Sequence, residues 1–316
     1  MDDPLSEVPD DIRAYIDDEF KAVSSASAKS KTAGRDASIP DLFHYTNAET
    51  VRLILKSRTL WATHIQFLND TSEFRYGIEL AKQCLGAARC AATGEKQRFV
   101  HHTEQFFEEV LKDEGSDPYV VAFSADGGDR LSQWRAYGDW GAGFSIGFDY
   151  EKLSHHFGDF TRVLPVTYPR EAQKEVLAYE VLVDEVEQSW TIRENAVHRW
   201  TDHVEVIDRY CRSQLVAFLL AESAALKHPG FNEEREFRLV ATRMHPSCPK
   251  PKFRAGKYGI VPYVELGSRC GPRLPVKKVT QGPTADRLSA RRGIEMLLSD
   301  LGYPDVKVLV SDIPLR

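Results

Sequence analysis

The chain has 316 residues, of which 42% are hydrophobic and 28% are charged, and its formal net charge is −6. These values exclude a collagen-like, coiled-coil or wholly disordered chain, and the negative charge argues against a nucleic-acid coat protein, although a local basic groove stays open. Five scattered cysteines, an acidic amino terminus and the lack of a long apolar run predict a cytoplasmic protein with no disulfide framework, structural metal or membrane span.

In chain order, the pattern predicts a short helix over residues 10–22 and a polar, flexible tether up to residue 39. Residues 40–316 are expected to form one α+β domain. Further helices are predicted at about 47–60, 72–90, 96–114, 129–137, within 170–227, and at 285–301. Strands are predicted at about 41–46, 60–62, 119–124, 143–149, 161–168, 234–242, 259–266, 275–280 and 306–310. The basic run over residues 250–257 is read as a solvated loop.

The first candidate binding site is a strand that leads directly into a helix. His44 and Thr46 share one face of this strand and Tyr45 takes the other, because side chains alternate along a strand. A neutral His44 imidazole can hydrogen-bond a ribose hydroxyl. The alternative is a structural histidine whose hydrogen bonds are satisfied within the protein.

The second candidate follows a turn near Asp70. Turn and helix-capping chemistry accounts for this segment without a function. Alternatively, Asp70, Glu73 and Arg75 lie in a cleft, where the planar guanidinium of Arg75 can hold a diphosphate.

The third candidate joins a buried strand, ending at Phe123 and Ser124, to a short helix. Trp134 and Tyr137 lie three residues apart on that helix, so they can form one aromatic surface for a flat heterocycle. The alternative is that both rings belong to the core. Glycines after Trp140 allow close backbone approach but lack the spacing of a dinucleotide fingerprint.

The fourth candidate is the acidic segment before residue 240. Glu234, Glu236 and Arg238 are expected on one face of a strand, with hydrophobic residues on the other. A solvated face with a salt bridge would explain this pattern. The functional alternative is a cleft where a carboxylate stabilises a developing cation and the arginine holds its geometry.

The joint order of these motifs resembles a family catalogued as domain of unknown function 2971, across about residues 40–316. The motifs are H-Y-T at 44–46, N-D-x-x-E at 69–73, F-S at 123–124, W-x-x-Y at 134–137, E-x-E-x-R at 234–238, G-P at 282–283 and S-x-I-P-x-R at 311–316. The family name itself implies no chemistry.

A second resemblance does imply chemistry. Residues 43–62 are similar to the first motif of ADP-ribosyltransferase folds, and residues 236–240 to the late strand that carries their catalytic glutamate, notably in DarT-type enzymes that modify DNA bases. The resemblance implies a split, mostly antiparallel central sheet with helical insertions. It also implies that NAD is the substrate, with no metal, and that Glu236 is the catalytic carboxylate with Glu234 beside it. The implied NAD contacts are His44, Tyr45, Thr46, Arg75, Ser124, Trp134, Tyr137 and Arg238.

The implied activity is that of an NAD-dependent ADP-ribosyltransferase of a bacterial toxin or antiviral defence system. Its macromolecular acceptor would be nucleic acid or protein, a regulatory protein partner would fit such a system, and no membrane partner is expected. A carboxylate would stabilise the oxocarbenium-like transition state, so Glu236→Gln is expected to abolish NAD turnover without lowering the melting temperature. Two alternatives stay open: a non-enzymatic sensor or interaction module, and a nuclease whose Asp70, Glu73 and late glutamates hold a divalent metal.

Overall fold

The computed structural model describes residues 8–32, 41–68, 72–158, 160–168, 172–227, 229–244, 247–256, 259–267, 271, 273–284 and 286–314. Within these residues the protein has an α+β fold, with one open, mostly antiparallel sheet and several helices. The fold class predicted from the sequence is therefore confirmed.

The α-helices are α1 (Asp10–Thr32), α2 (Ala48–Ser57), α3 (Ser72–Ala91), α4 (Gly94–Lys112), α5 (Leu131–Tyr137), α6 (Tyr150–Ser154), α7 (Ala172–Arg199), α8 (Val204–Ser223) and α9 (Arg287–Asp300). The strands are β1 (Leu42–Thr46), β2 (Thr59–His64), β3 (Tyr119–Ser124), β4 (Phe144–Phe148), β5 (Thr161–Pro165), β6 (Glu236–Ala241), β7 (Lys252–Gly256), β8 (Gly259–Gly267), β9 (Val276–Gln281) and β10 (Lys307–Val310).

The sheet splits beside its central strand, β3. The strand order is β10-β9-β4-β1-β3-β2-β8-β7, while β6 pairs with β3 and β5 pairs with β6. One edge of β3 pairs with β6 along its whole length. On the other edge of β3, the described pairing with β1 is at Ser124, the last residue of β3. The described pairing with β2 is at Tyr119 and Val120, the first two residues of β3. The middle of that edge therefore lies in a gap between β1 and β2.

Two hydrophobic cores lie on opposite faces of the sheet. Val120 and Val240 pack with α1, α3, α4, α7 and α8, whereas their neighbours Val121 and Leu239 pack with α2 and α9. This division follows from the alternation of side chains along each strand. The face that carries the larger helical core is also the face toward which Glu236 and Arg238 project.

The amino-terminal helix is longer than predicted. α1 continues to Thr32, so residues 24–32, which were expected to be a tether, are helical. Intrinsic propensity does not account for this extension, because five of these nine residues are Ser or Thr, which are weaker helix formers than Ala and Lys. Ile12, Ile16 and Phe20 are buried in the larger core. The rest of the predicted tether, residues 33–39, lies outside the described residues.

The basic run also differs from its prediction. Lys252–Gly256 forms strand β7, which pairs with β8 in an antiparallel hairpin. Residues 252–256 are all exposed, so this strand has no buried face. Its strand conformation depends on pairing with β8, which local composition does not reveal.

The described part of the chain contains four free cysteines and no helix suited to cross a membrane. Cys84, Cys90, Cys211 and Cys248 are free thiols. None of the described helices combines the length and the apolar character that crossing a bilayer requires.

Candidate functional site

A cleft opens where β1, β3, α5 and the segment before β6 meet. Its empty space, including the part open to solvent, is about 400 Å³. The residues predicted from the sequence that line this cleft are His44, Tyr45, Ser124, Tyr137, Glu234 and Glu236.

His44 reaches from β1 into the gap beside β3. Its Nδ1 lies 3.0 Å from the backbone oxygen of Ala122. A carbonyl oxygen can only accept, so Nδ1 carries the proton and Nε2 is the acceptor nitrogen of the ring. Burial lowers the pKa of His44 more than the bond to Ala122 raises it. The ring is therefore neutral at pH 7 and can accept a hydrogen bond from a hydroxyl at Nε2.

Glu236 is an ionised carboxylate despite being almost fully buried. Arg238 Nε donates to Glu236 Oε1 at 2.7 Å, and Lys227 Nζ donates to Oε2 at 2.8 Å. Burial alone would raise the pKa of Glu236, but the charges of Arg238 and Lys227 outweigh burial and lower it. The result is a fixed negative charge at the cleft.

Lys227 bridges the two glutamates of the cleft, and sequence reasoning missed it. Its Nζ also donates to Glu234 Oε2 at 2.7 Å. Burial would lower the pKa of Lys227, but Glu236 and Glu234 raise it above its usual value. Lys227 lies in the irregular segment between α8 and β6, where no spacing or motif distinguishes it from a surface lysine.

Arg238 brings two predicted motifs together. It lies behind Glu236, and its Nη2 is 3.3 Å from Glu73 Oε2 at the start of α3. Its Nη1 donates to the backbone oxygen of Ala224 at 2.7 Å. The N-D-x-x-E and E-x-E-x-R segments therefore meet through Glu73 and Arg238. The predicted residues 69–71 of the first motif, including Asp70, lie outside the described residues.

Glu234 does not lie on the predicted strand. β6 begins at Glu236, because Arg235 has a left-handed backbone conformation with φ of +44°. Ser124 Oγ donates to the backbone oxygen of Glu234 at 2.6 Å, and Ala125 N donates to that of Arg235 at 3.0 Å. These bonds fasten the turn to the end of β3, which keeps Glu234 at the cleft. Residues held in sparsely populated backbone conformations cluster at functional sites.

The two predicted aromatic residues have different surroundings. Trp134 is fully buried with Phe43 and Tyr45, and its Nε1 donates to Asp129 Oδ1 at 2.7 Å. Tyr137 is 41% exposed and lines the cleft. The structure therefore places Trp134 in the core, where it cannot stack on a ligand. Tyr137 alone of this pair can do so.

Three further implied NAD contacts are not among the residues that line the cleft, namely Thr46, Arg75 and Arg238. Thr46 is buried at the end of β1, where its backbone packs closely against Gly143. Arg75 is exposed on α3 and is not among the residues that line the cleft.

Tyr45 lines the cleft, but its hydroxyl donates a hydrogen bond to Asp126 at 3.1 Å. Burial, together with the charge of Asp126, raises the pKa of Tyr45. Tyr45 therefore serves to hold the loop after β3.

The acidic side chains do not form a metal cluster in the part of the chain that the structure describes. No group of three or more His, Cys, Asp or Glu side chains is placed there to hold an ion. The carboxylates of Glu234 and Glu236 instead bind the ammonium of Lys227.

A family model matches part of the chain, including some of the residues that line the cleft. No curated protein and no solved structure matches the chain. Residues 133–239 match the family model described as "Protein of unknown function (DUF2971)". The resemblance to that family is therefore confirmed over about a third of the chain, from the helix that carries Tyr137 to the strand that carries Glu236.

Proposed function

We propose that this protein is an NAD-dependent ADP-ribosyltransferase. The observation that carries the proposal is that His44 and Glu236, far apart in the sequence, line the same cleft. This pair supplies an acceptor nitrogen for a ribose hydroxyl and a buried negative charge for the cation that develops when the glycosidic bond breaks.

The charge around the cleft suits the cationic nicotinamide end of NAD. Lys227 and Arg238 are two cations, and Glu73, Glu234 and Glu236 are three carboxylates in contact with them. These five side chains carry one net negative charge when all are ionised. NAD carries one positive charge on its nicotinamide ring, and that charge moves onto the ribose as the bond breaks. A fixed negative charge with little solvent around it stabilises this transition state without further rearrangement.

Each side chain then has a role that its surroundings allow. His44 accepts a hydrogen bond from a ribose hydroxyl at Nε2, and the half-exposed ring of Tyr137 stacks on nicotinamide. Glu236 stabilises the ribosyl cation. Ser124, whose hydroxyl bonds the backbone of Glu234, holds the scaffold.

The reaction balances without a further cofactor. The bond between the ribose C1′ and the nicotinamide nitrogen breaks, and its electron pair leaves with neutral nicotinamide. A nucleophile on a macromolecule then attacks C1′ and releases its proton. We propose a cytoplasmic toxin or antiviral setting for this activity, with a nucleic acid or protein as the acceptor and a protein partner as regulator.

Labelled NAD provides the test. The purified chain is incubated with NAD labelled on either side of the glycosidic bond, together with protein, DNA or RNA, and direct NAD binding is measured by calorimetry. Release of nicotinamide and labelling of one acceptor class are expected. Glu236→Gln should slow the release by about a hundredfold to a thousandfold, whereas Glu295→Gln, on the exposed face of α9, should not change it. A chain that neither binds NAD nor releases nicotinamide would contradict the proposal, and metal-dependent cutting of DNA or RNA would support a nuclease instead.

A further inference from the structure

Lys227 is anchored next to the two glutamates that line the cleft. Its backbone N–H donates to the backbone oxygen of Thr167 at 3.0 Å, and Thr167 N donates to Ala225 O at 2.9 Å. Its ammonium lies 2.7 Å from Glu234 Oε2 and 2.8 Å from Glu236 Oε2. The side chain is 11% exposed. A lysine anchored at its backbone and bridging two carboxylates has little freedom to move.

Glu234 and Glu236 differ in how many of their carboxylate oxygens bind a cation. Both oxygens of Glu236 are bonded, one to Arg238 and one to Lys227, and its side chain is 6% exposed. Glu234 uses Oε2 for Lys227, and its side chain is 22% exposed. The bridge therefore occupies Oε2 of Glu234, a residue that lines the cleft, while Oε1 is not part of this bond.

We propose that Lys227 is a positioning residue, which holds Glu234 and Glu236 together and presents Glu234 Oε1 to a hydroxyl of the ligand. The proposal rests on the proposed ADP-ribosyltransferase function. It separates the roles of the two glutamates: Glu236 contributes a fixed charge, and Glu234 contributes a hydrogen-bond acceptor.

The physical reason is repulsion between like charges. Two carboxylates that share a small site cannot both stay ionised at neutral pH without a compensating cation, and one of them takes up a proton. Arg238 already compensates for Glu236 and Glu73, so Lys227 is the cation that Glu234 shares. In the part of the chain that the structure describes, the hydroxyls of Tyr137 on α5 and of Tyr168 after β5 also lie near the pair. Neither supplies a positive charge.

The test compares Lys227→Met, which removes the charge and keeps the apolar stem, with Lys227→Arg, which keeps the charge. Glutamate carboxyl groups are labelled with ¹³C and titrated by NMR in the absence of NAD. In Lys227→Met, one cleft carboxylate should take up its proton at a higher pH than in the wild type, whereas Lys227→Arg should titrate like the wild type. Lys227→Gln replaces Lys227→Met if the latter does not fold.

Kinetics supply the second readout. Lys227→Met should lower kcat by about tenfold to a hundredfold, the usual effect of misplacing a catalytic group, and leave KM within about threefold. The acid limb of its kcat profile should move to higher pH, and Lys227→Arg should restore most of the rate. An unchanged carboxylate titration in Lys227→Met would overturn the proposal. If the wild type neither binds nor cleaves NAD, the proposed function fails, and the titration still decides whether Lys227 controls the two glutamates.

Discussion

Arg238 and Glu73 form a buried ion pair although 165 residues separate them in the sequence, with Nη2 and Oε2 3.3 Å apart. Arg238 also binds Glu236 and the backbone of Ala224. One guanidinium therefore connects the first turn of α3, the end of α8 and the first residue of β6. The position of Glu236 therefore depends in part on α3, which lies far from it along the chain.

Removing Arg238 should destabilise the protein strongly. Arg238→Met leaves the carboxylates of Glu73 and Glu236 buried with less compensating charge, which typically costs about 3–5 kcal/mol of unfolding free energy. Urea unfolding measures this change. Arg52→Met is the matched control, because Arg52 pairs with Glu49 on the exposed surface of α2, where ion pairs contribute little. Equal losses in the two variants would contradict the central role of the Arg238 network.

Much of this arrangement was accessible from the sequence. Alternation along the strand correctly placed Glu236 and Arg238 on one face, and the strand-to-helix transition after His44 was predicted where it occurs. These features depend on local periodicity. The buried ion pair between Glu73 and Arg238 depends on tertiary packing, which one sequence does not specify.

Two parts of the candidate site could not be predicted for identifiable reasons. The left-handed conformation of Arg235 removes Glu234 from the strand, and an arginine gives no signal for a positive φ. The spacing of three residues between Trp134 and Tyr137 indicates only that both rings lie on one side of the helix. It does not indicate which of the two rings is buried. The structure distinguishes Trp134 from Tyr137 by burial.

The two aromatic residues of α5 should therefore respond differently to truncation. Trp134→Ala removes a fully buried ring and should lower the unfolding free energy by about 3–5 kcal/mol. Tyr137→Ala should cost little stability, and it should weaken NAD binding by about 0.5–1.5 kcal/mol, the typical contribution of aromatic stacking. Urea unfolding and calorimetry with NAD measure the two effects. Unchanged NAD affinity in Tyr137→Ala would show that the ring of Tyr137 does not contact NAD.

Glu236→Gln should reduce both turnover and stability. Loss of the fixed charge is expected to lower kcat by about a hundredfold to a thousandfold. The sequence alone favours an unchanged melting temperature, but the amide can no longer compensate for Arg238 and Lys227, so the melting temperature should fall. Nicotinamide release and a thermal scan check these outcomes. Full turnover in a folded Glu236→Gln protein would reject its catalytic assignment.

His44 should make the protein sensitive to mild acid. Burial lowers its pKa in the folded state, so below the ordinary value of about 6.5 the unfolded chain binds more protons than the folded one. The stability that the neutral ring contributes is therefore fully present above about pH 6.5. It is lost as the pH falls from there through the lower pKa of His44 in the folded state. His44→Asn, whose amide can still donate to Ala122, should lose less stability between pH 7.5 and pH 5 than the wild type does. Equal losses in urea unfolding at the two pH values would show that His44 is not the group responsible.

Substitutions at the adjacent glycines Gly127 and Gly128 separate the effect of packing against Phe43 from the effect of backbone strain. Gly127 and Gly128 both have positive φ, at +92° and +87°. A Cβ on Gly127 would meet nothing within 4 Å, whereas a Cβ on Gly128 would lie 2.3 Å from Cδ1 of Phe43. Both alanine variants should incur a backbone cost of about 1–2 kcal/mol.

Gly128→Ala must in addition displace Phe43, which is buried and lines the cleft. We expect a further loss of about 1–3 kcal/mol, the usual consequence of overpacking, together with weaker NAD binding. Because Gly127→Ala carries the backbone cost without the contact, the difference between the two variants isolates the ring of Phe43. Equal unfolding free energies for the two variants would mean that Phe43 can move aside without loss, and that the shape of the cleft does not depend on its position.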